Sequence, residues 1–146
     1  MNPPSVFLDR SFLVAVVDNG DVNHDEAVAR YRALIDDFVD QRCLLVARAD
    51  HLPVGDNRNL FAPIDKLHVA RQHRNAAAEL VARTGVGIDE AITLVLLHRF
   101  RIRKVASFSR HLADYDTDLR VTVPSNVVAA KALDTSRATT LATEAG

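Results

Sequence analysis

The sequence predicts a single α/β domain: a three-layer α/β/α sandwich around a central, mostly parallel sheet. Three observations predict it. Short apolar runs at residues 6–8, 43–46 and 104–108 have the length of buried strands. Stretches with helical periodicity stand between them, at 23–38, 74–83 and 89–99. The chain has 146 residues, 48% apolar and 25% charged, which is one ordinary globular domain rather than two. Strands that alternate with helices pair in parallel, because each parallel connection must cross a face of the sheet.

The elements follow in order. Val6-Phe7-Leu8 is a strand ending at Asp9, and Ser11 is placed to cap a helix over residues 12–17. The turn-forming Asp18-Asn19-Gly20-Asp21 stops it. Asn23 is the expected N-cap of the next helix, with Asp25 and Glu26 in the first turn, where negative charge suits the helix dipole. Ala27, Val28, Tyr31, Leu34, Ile35 and Phe38 recur on one face of it. Residues 43–46 form the second strand, with Cys43 as a buried strand residue rather than a nucleophile. Pro53, Gly55 and Pro63 make 52–63 a loop, and Leu67-His68-Val69 a short strand after it. A helix over 74–83 ends at Thr84-Gly85, and a helix over 89–99, apolar almost all round, is expected to be central. A strand over 104–108, a short helix over 110–115 and a last strand over 119–123 complete the domain, residues 1–124. The Ala- and Thr-rich residues 125–146 read as a flexible or frayed helical tail.

Composition excludes several classes of function. A net charge of −1 with mixed signs argues against a protein that coats nucleic acid, though a basic rim remains compatible with it. One cysteine forbids an internal disulfide. The opening Met1-Asn2-Pro3-Pro4 is not a signal peptide, and no apolar run has membrane-spanning length, so a reducing cytoplasm is the expected compartment. No Walker loop, Gly-x-Gly-x-x-Gly or Gly-x-Ser-x-Gly occurs. His24, His51, His68, His73, His98 and His111 lack zinc-ligand spacing, and a structural or solvated role is expected for each.

In open parallel sheets the functional crevice lies beyond the carboxyl ends of the strands. That rule selects Asp9 and Ser109. Asp89 and Glu90, at the start of the central helix, are the other acids of interest. Carboxylates gathered from strand ends and helix starts suit hard divalent cations, which prefer oxygen ligands and lower the pKa of bound water. Each residue also has a plain alternative: Asp9 can end a strand, Asp89 and Glu90 can serve the helix dipole, and Ser109 can be an ordinary N-cap.

In their order along residues 5–124, these segments resemble the PIN-domain family, including the VapC-like toxin nucleases of toxin–antitoxin pairs. The matching stretches are residues 6–15, the turn and helix start at 21–27, the run Asp89-Glu90-Ala91-Ile92-Thr93-Leu94, and residues 101–112. The resemblance implies a magnesium- or manganese-dependent endoribonuclease acting on RNA, with an antitoxin protein as partner. It implies that Asp9 is the first metal ligand and Glu90 the third acid, with Asp89 as fallback. Ser109 stands where the family has an acid and would orient the attacking water. Ser11, Arg10, Arg110 and His111 are the substrate-binding candidates, the basic ones facing phosphates. The family's middle acid has no clear counterpart, because that region holds Arg48, Asp50, His51 and Pro53. Such an incomplete acidic site would hold one hydrated ion rather than two. A non-catalytic PIN-like module that binds RNA or protein is the competing expectation. A flavodoxin-like regulator also begins with strand-end acids, but its lysine strand end and phosphoacceptor pattern are absent. An apolar edge left exposed on the helix over 27–38, or on the one carrying Glu90, would make a homodimer the expected assembly.

Overall fold

A computed structural model describes residues 3–53, 59–109 and 112. Four strands, β1 (Ser5–Leu8), β2 (Leu44–Arg48), β3 (Ile64–Leu67) and β4 (Lys104–Ala106), form one parallel sheet in the order β3-β2-β1-β4. Helices α1 (Arg10–Val17) and α2 (His24–Val39) connect β1 to β2, and α3 (Arg71–Thr84) and α4 (Ile88–Arg99) connect β3 to β4. The chain winds outward from β1 through β2 to β3, then returns to β1's other side. The switch of direction therefore lies between β1 and β4, where an open sheet of this kind forms its crevice.

Successive strand residues point to opposite faces, and the core divides accordingly. Val6, Leu8, Leu45, Ala47 and Ala106 pack with Phe12, Leu13 and Val16 of α1 and with Ala27 and Tyr31 of α2. Phe7, Val46 and Val105 face the other way, onto Leu94 and Leu97 of α4. Helix α3 adds its Ala77 to a cluster with Ala91, Ile92 and Leu96 of α4. The expected three layers are present. Helix α4 is buried on two sides, against the sheet and against α3, which is why its sequence is apolar nearly all round. Cys43 is buried as expected, one residue before β2.

Some expectations need correction. The N-cap of α1 is Asp9, not Ser11. Asp9 keeps an extended backbone (φ −74°, ψ 159°) and its carboxylate accepts from the Ser11 amide, while the Ser11 hydroxyl donates to that same carboxylate and accepts from the Phe108 amide. The third strand is Ile64–Leu67, not 67–69. It is an edge strand with one fully buried side chain, Ile64, and exposed Asp65 and Lys66, so its apolar alternation is faint; charge on an edge also discourages stray pairing. Val69 packs instead with the α3–α4 cluster. The strand expected over 104–108 ends at Ala106. Residues 49–51 add a 3-10 turn after β2, just before the expected loop. The segment 54–58, the helix over 110–115, the strand over 119–123, the tail and the boundary at 124 lie outside the described residues, as do Arg110 and His111. Among the described residues, no helix is long and apolar enough to cross a membrane.

Two helices end on a left-handed residue that is not glycine: Gln41 (φ 61°) after α2 and Arg101 (φ 57°) after α4. In each case the next amide reaches back five residues, Arg42 to Asp37 and Ile102 to Leu97, closing the helix. A side chain in this conformation costs about 1–2 kcal/mol that glycine avoids. Arg101→Gly is therefore expected to raise stability, by up to about 1 kcal/mol once glycine's extra unfolded-state entropy is deducted. Urea unfolding measures it, and a lowered midpoint would contradict the assignment.

Candidate active site

The strand register brings three polar residues into one row. Phe7 pairs with Val46 on one side and Val105 on the other. Two residues further on, the same register aligns Asp9 with Arg48 and with Ser107. By alternation all three point to the face that carries α4. Directly beneath them lie Phe7, Val46 and Val105, the apolar floor.

The β4 side of the row is a closed hydrogen-bond knot. Asp9 Oδ2 accepts from the Ser11 hydroxyl (2.8 Å) and the Ser107 hydroxyl (2.9 Å). Each hydroxyl has a single proton, so both protons are directed at Asp9. Their lone pairs are filled from behind. The Phe108 amide donates to Ser11 Oγ, and the Ser109 amide to Ser107 Oγ, both at 2.9 Å. Ser107 is fully buried. This arrangement holds Asp9 in one orientation, with Oδ2 saturated by donors and Oδ1 left out of the knot. Ser109 is brought to the site through its amide.

The β2 side is built around a buried cation. Arg48 is 2% exposed, although charged side chains are rarely buried unless paired. Its Nε and Nη2 donate to the two carboxylate oxygens of Asp50 at 3.0 and 2.6 Å. Its Nη1 lies 3.0 Å from the Asp89 carboxylate, 3.0 Å from the Asp89 carbonyl oxygen and 3.1 Å from the Thr93 hydroxyl. One guanidinium thus ties the end of β2 to the first turn of α4. The buried His51 places Nε2 3.5 Å from the same Asp89 oxygen. His51 Nδ1 is buried without a hydrogen-bond partner.

Glu90 follows from helical spacing. Glu90, Leu94 and Leu97 share a stripe of α4, and the two leucines pack on the apolar floor. Glu90 continues that stripe toward the strand ends. Its Oε1 lies 3.7 Å from where a Cβ on Gly87 would stand, and its Oε2 is buried with no hydrogen-bond partner. A buried acceptor without a donor costs about 1–3 kcal/mol unless a ligand or water supplies the partner.

Electrostatics fit this division. The Arg48 hydrogen bonds hold the Asp50 carboxyl below its ordinary value. Burial pushes the His51 imidazole down, and the Arg48 charge adds to it against the opposing pull of Asp89. Both shifts favour the fold at neutral pH and act in the same direction on acidification. A depressed His51 keeps its contribution above about pH 6.5 and loses it as pH falls below that. Asp50 does the same below its ordinary value near 3.8. Melting temperature is therefore expected to fall from pH 7 to pH 5 in the wild type and by less in His51→Phe. Parallel curves for the two proteins would show that His51 is not held neutral.

The structure thus brings Asp9, Ser11 and Ser107 together. It joins Asp89 to Arg48, and sets Glu90 on the sheet-facing stripe of α4. Arg10, exposed at the start of α1, is close enough to His51 for its charge to be felt there. Among the described residues, no three His, Cys, Asp or Glu side chains form a group that could hold a metal. Ser107 opens the strand-end run 107–112 from which the sequence selected Ser109 instead, and Arg48, Thr93 and His51 were not singled out as site residues. Arg48 and Ser107 both sit at strand ends, so the crevice rule that selected Asp9 could have found them.

No model of a known protein family matches the sequence, and neither does a curated protein. Among solved structures, the chain is similar to VapC20 of Mycobacterium tuberculosis, a toxin that cleaves the sarcin–ricin loop. The TM-score is 0.56 at 14% identity, over 75% of this chain and 93% of that one. Identity so low speaks for the fold alone. With its four parallel strands in the order β3-β2-β1-β4 between two helical layers, the chain has the three-layer PIN-like fold.

Proposed function

We propose that this protein is a divalent-metal-dependent endoribonuclease of the PIN toxin type, with a one-ion site on Asp9 and Glu90. The observation that carries the reading is Glu90 Oε2, a buried carboxylate oxygen without a donor, on the helix stripe that faces the Asp9 row. Magnesium or manganese bound there would activate water and offset charge on a phosphodiester. The chain's own residues do the positioning. Ser11 and Ser107 fix Asp9 through their hydroxyl protons. Ser109, held by its amide, orients the attacking water. Arg10 offers a guanidinium to a phosphate at the rim, with Arg110 and His111 in the same role. Asp89, the fallback ligand, is engaged by Arg48. An antitoxin protein is the partner this reading implies, in the cytoplasm. A homodimer seam would cover exposed Val39 of α2 or exposed Ile88 of α4, which stand on opposite faces of the sheet.

A second reading has its own support. The engagement of Asp50 and Asp89 by Arg48 favours a non-catalytic module that binds RNA or protein. One experiment separates the two: incubate the protein with structured and unstructured RNA and manganese, beside Asp9→Asn and Glu90→Gln. Cleavage by the wild type that both substitutions suppress supports the nuclease. Cleavage that survives them points to a contaminant. Its absence throughout, with no manganese-dependent rise in melting temperature, supports the module.

A further inference from the structure

The nuclease reading leaves the most heavily bonded side chain of the site unused. Arg48 is almost completely buried, beside Asp9 in the strand row, and it occupies both oxygens of Asp50 and one of Asp89. An Asp50 oxygen that accepts a guanidinium N–H at 3.0 or 2.6 Å has little left to offer a metal ion, and one Asp89 oxygen is ion-paired with the same guanidinium at 3.0 Å. The same guanidinium also holds the Asp89 carbonyl oxygen and the Thr93 hydroxyl, so a cation fixed by covalent tether sets the first turn of α4 against β2.

We propose that Arg48 is a tethered cation that holds Asp50 and Asp89 out of metal coordination, so that this strand end accepts one divalent ion rather than two. The inference deepens the nuclease reading and rests on its one-ion site. Arg48 is a positioning residue here: it touches neither ion nor RNA. It decides how many ions the crevice takes and holds the helix turn that presents Glu90. An exchangeable second ion would leave Asp50 and Asp89 free to rearrange when it dissociates. A guanidinium cannot dissociate, so the spacing between β2 and α4 is the same with and without metal.

Manganese chloride titrated into the full chain tests this, with free ion followed by electron paramagnetic resonance and binding by calorimetry. The wild type is expected to saturate at one ion per chain. Asp50→Asn and Asp89→Asn should each change its affinity by no more than about threefold, the size of a through-space effect near the surface. Arg48→Met should take up a second ion, and adding Asp50→Asn to it should remove that ion again. Two ions on the wild type would overturn the proposal. So would a tenfold or larger loss of affinity in Asp50→Asn, or a folded Arg48→Met that still binds one. If Arg48→Met does not fold, the Asp50→Asn and Asp89→Asn titrations decide alone. No ion on the wild type but one on Arg48→Met sinks the nuclease reading while supporting the tethered cation. No ion on either sinks both.

Discussion

Arg48→Met is expected to destabilise the protein by about 1–3 kcal/mol, the usual cost of leaving buried polar groups without their hydrogen-bond donor. The loss does not come from the attraction alone. Taking the guanidinium away leaves the buried Thr93 hydroxyl and the Asp89 carbonyl oxygen without their donor, and the half-exposed Asp50 and Asp89 carboxylates without their counter-charge. Single domains are stable by only about 5–15 kcal/mol, so the variant should be marginal but measurable by urea unfolding at low temperature. Part of the cost should be recovered in Arg48→Met/Asp50→Asn, because a neutral amide needs less compensation than a carboxylate. That coupling is read from a double-mutant cycle. A cost below about 1 kcal/mol, typical of a solvated surface pair, would mean that Arg48 is not the buried cation described.

The second large effect belongs to Asp9, and the choice of substitution decides what it means. Asp9→Ala removes the N-cap of α1 and the acceptor for two hydroxyls, one of them on the fully buried Ser107. A lost cap costs about 0.5–2 kcal/mol, and the stranded hydroxyl protons add to it. Lost cleavage in Asp9→Ala would therefore mix chemistry with folding. Asp9→Asn keeps an acceptor oxygen for Ser11 and Ser107 while removing the charge a divalent ion needs. On the proposed nuclease reading it is expected to lower RNA cleavage by at least about a hundredfold, more than outer-shell partners of a metal usually carry, with little change in melting temperature. Cleavage within about tenfold of wild type would place Asp9 outside the reacting centre.

The two effects separate the halves of the row at the sheet's carboxyl edge. On the β4 side, hydroxyls and backbone amides orient one carboxylate. On the β2 side, a guanidinium takes two carboxylates for itself. Glu90 lies on the stripe between α4 and the floor, and its buried free oxygen is the feature in which a one-ion site and an inert module differ most plainly. In the first, that oxygen gains a partner when metal is added. In the second it stays a local cost, and Glu90→Gln should then leave stability unchanged or raise it.

Strand and helix alternation were legible in the chain by themselves. Period-two burial in Val6-Phe7-Leu8 and the apolar helix around Leu94 and Leu97 are local patterns that follow from how side chains project. So was Asp9 as a strand-end acid, because a parallel sheet gathers its strand ends in one place. The edge strand was misplaced, since pairing with β2 rather than its own apolar content sets where β3 lies. The partner of each acid was beyond local reading. Ser107 stands 98 residues from Asp9, and Arg48 stands 41 from Asp89. Whether Asp50 and Asp89 meet a metal or a guanidinium depends on the register between β1 and β2 and on the seating of α4, and neither is written within any one segment. A carboxylate's chemistry is set by the nearest opposite charge, and only the folded chain determines which charge that is.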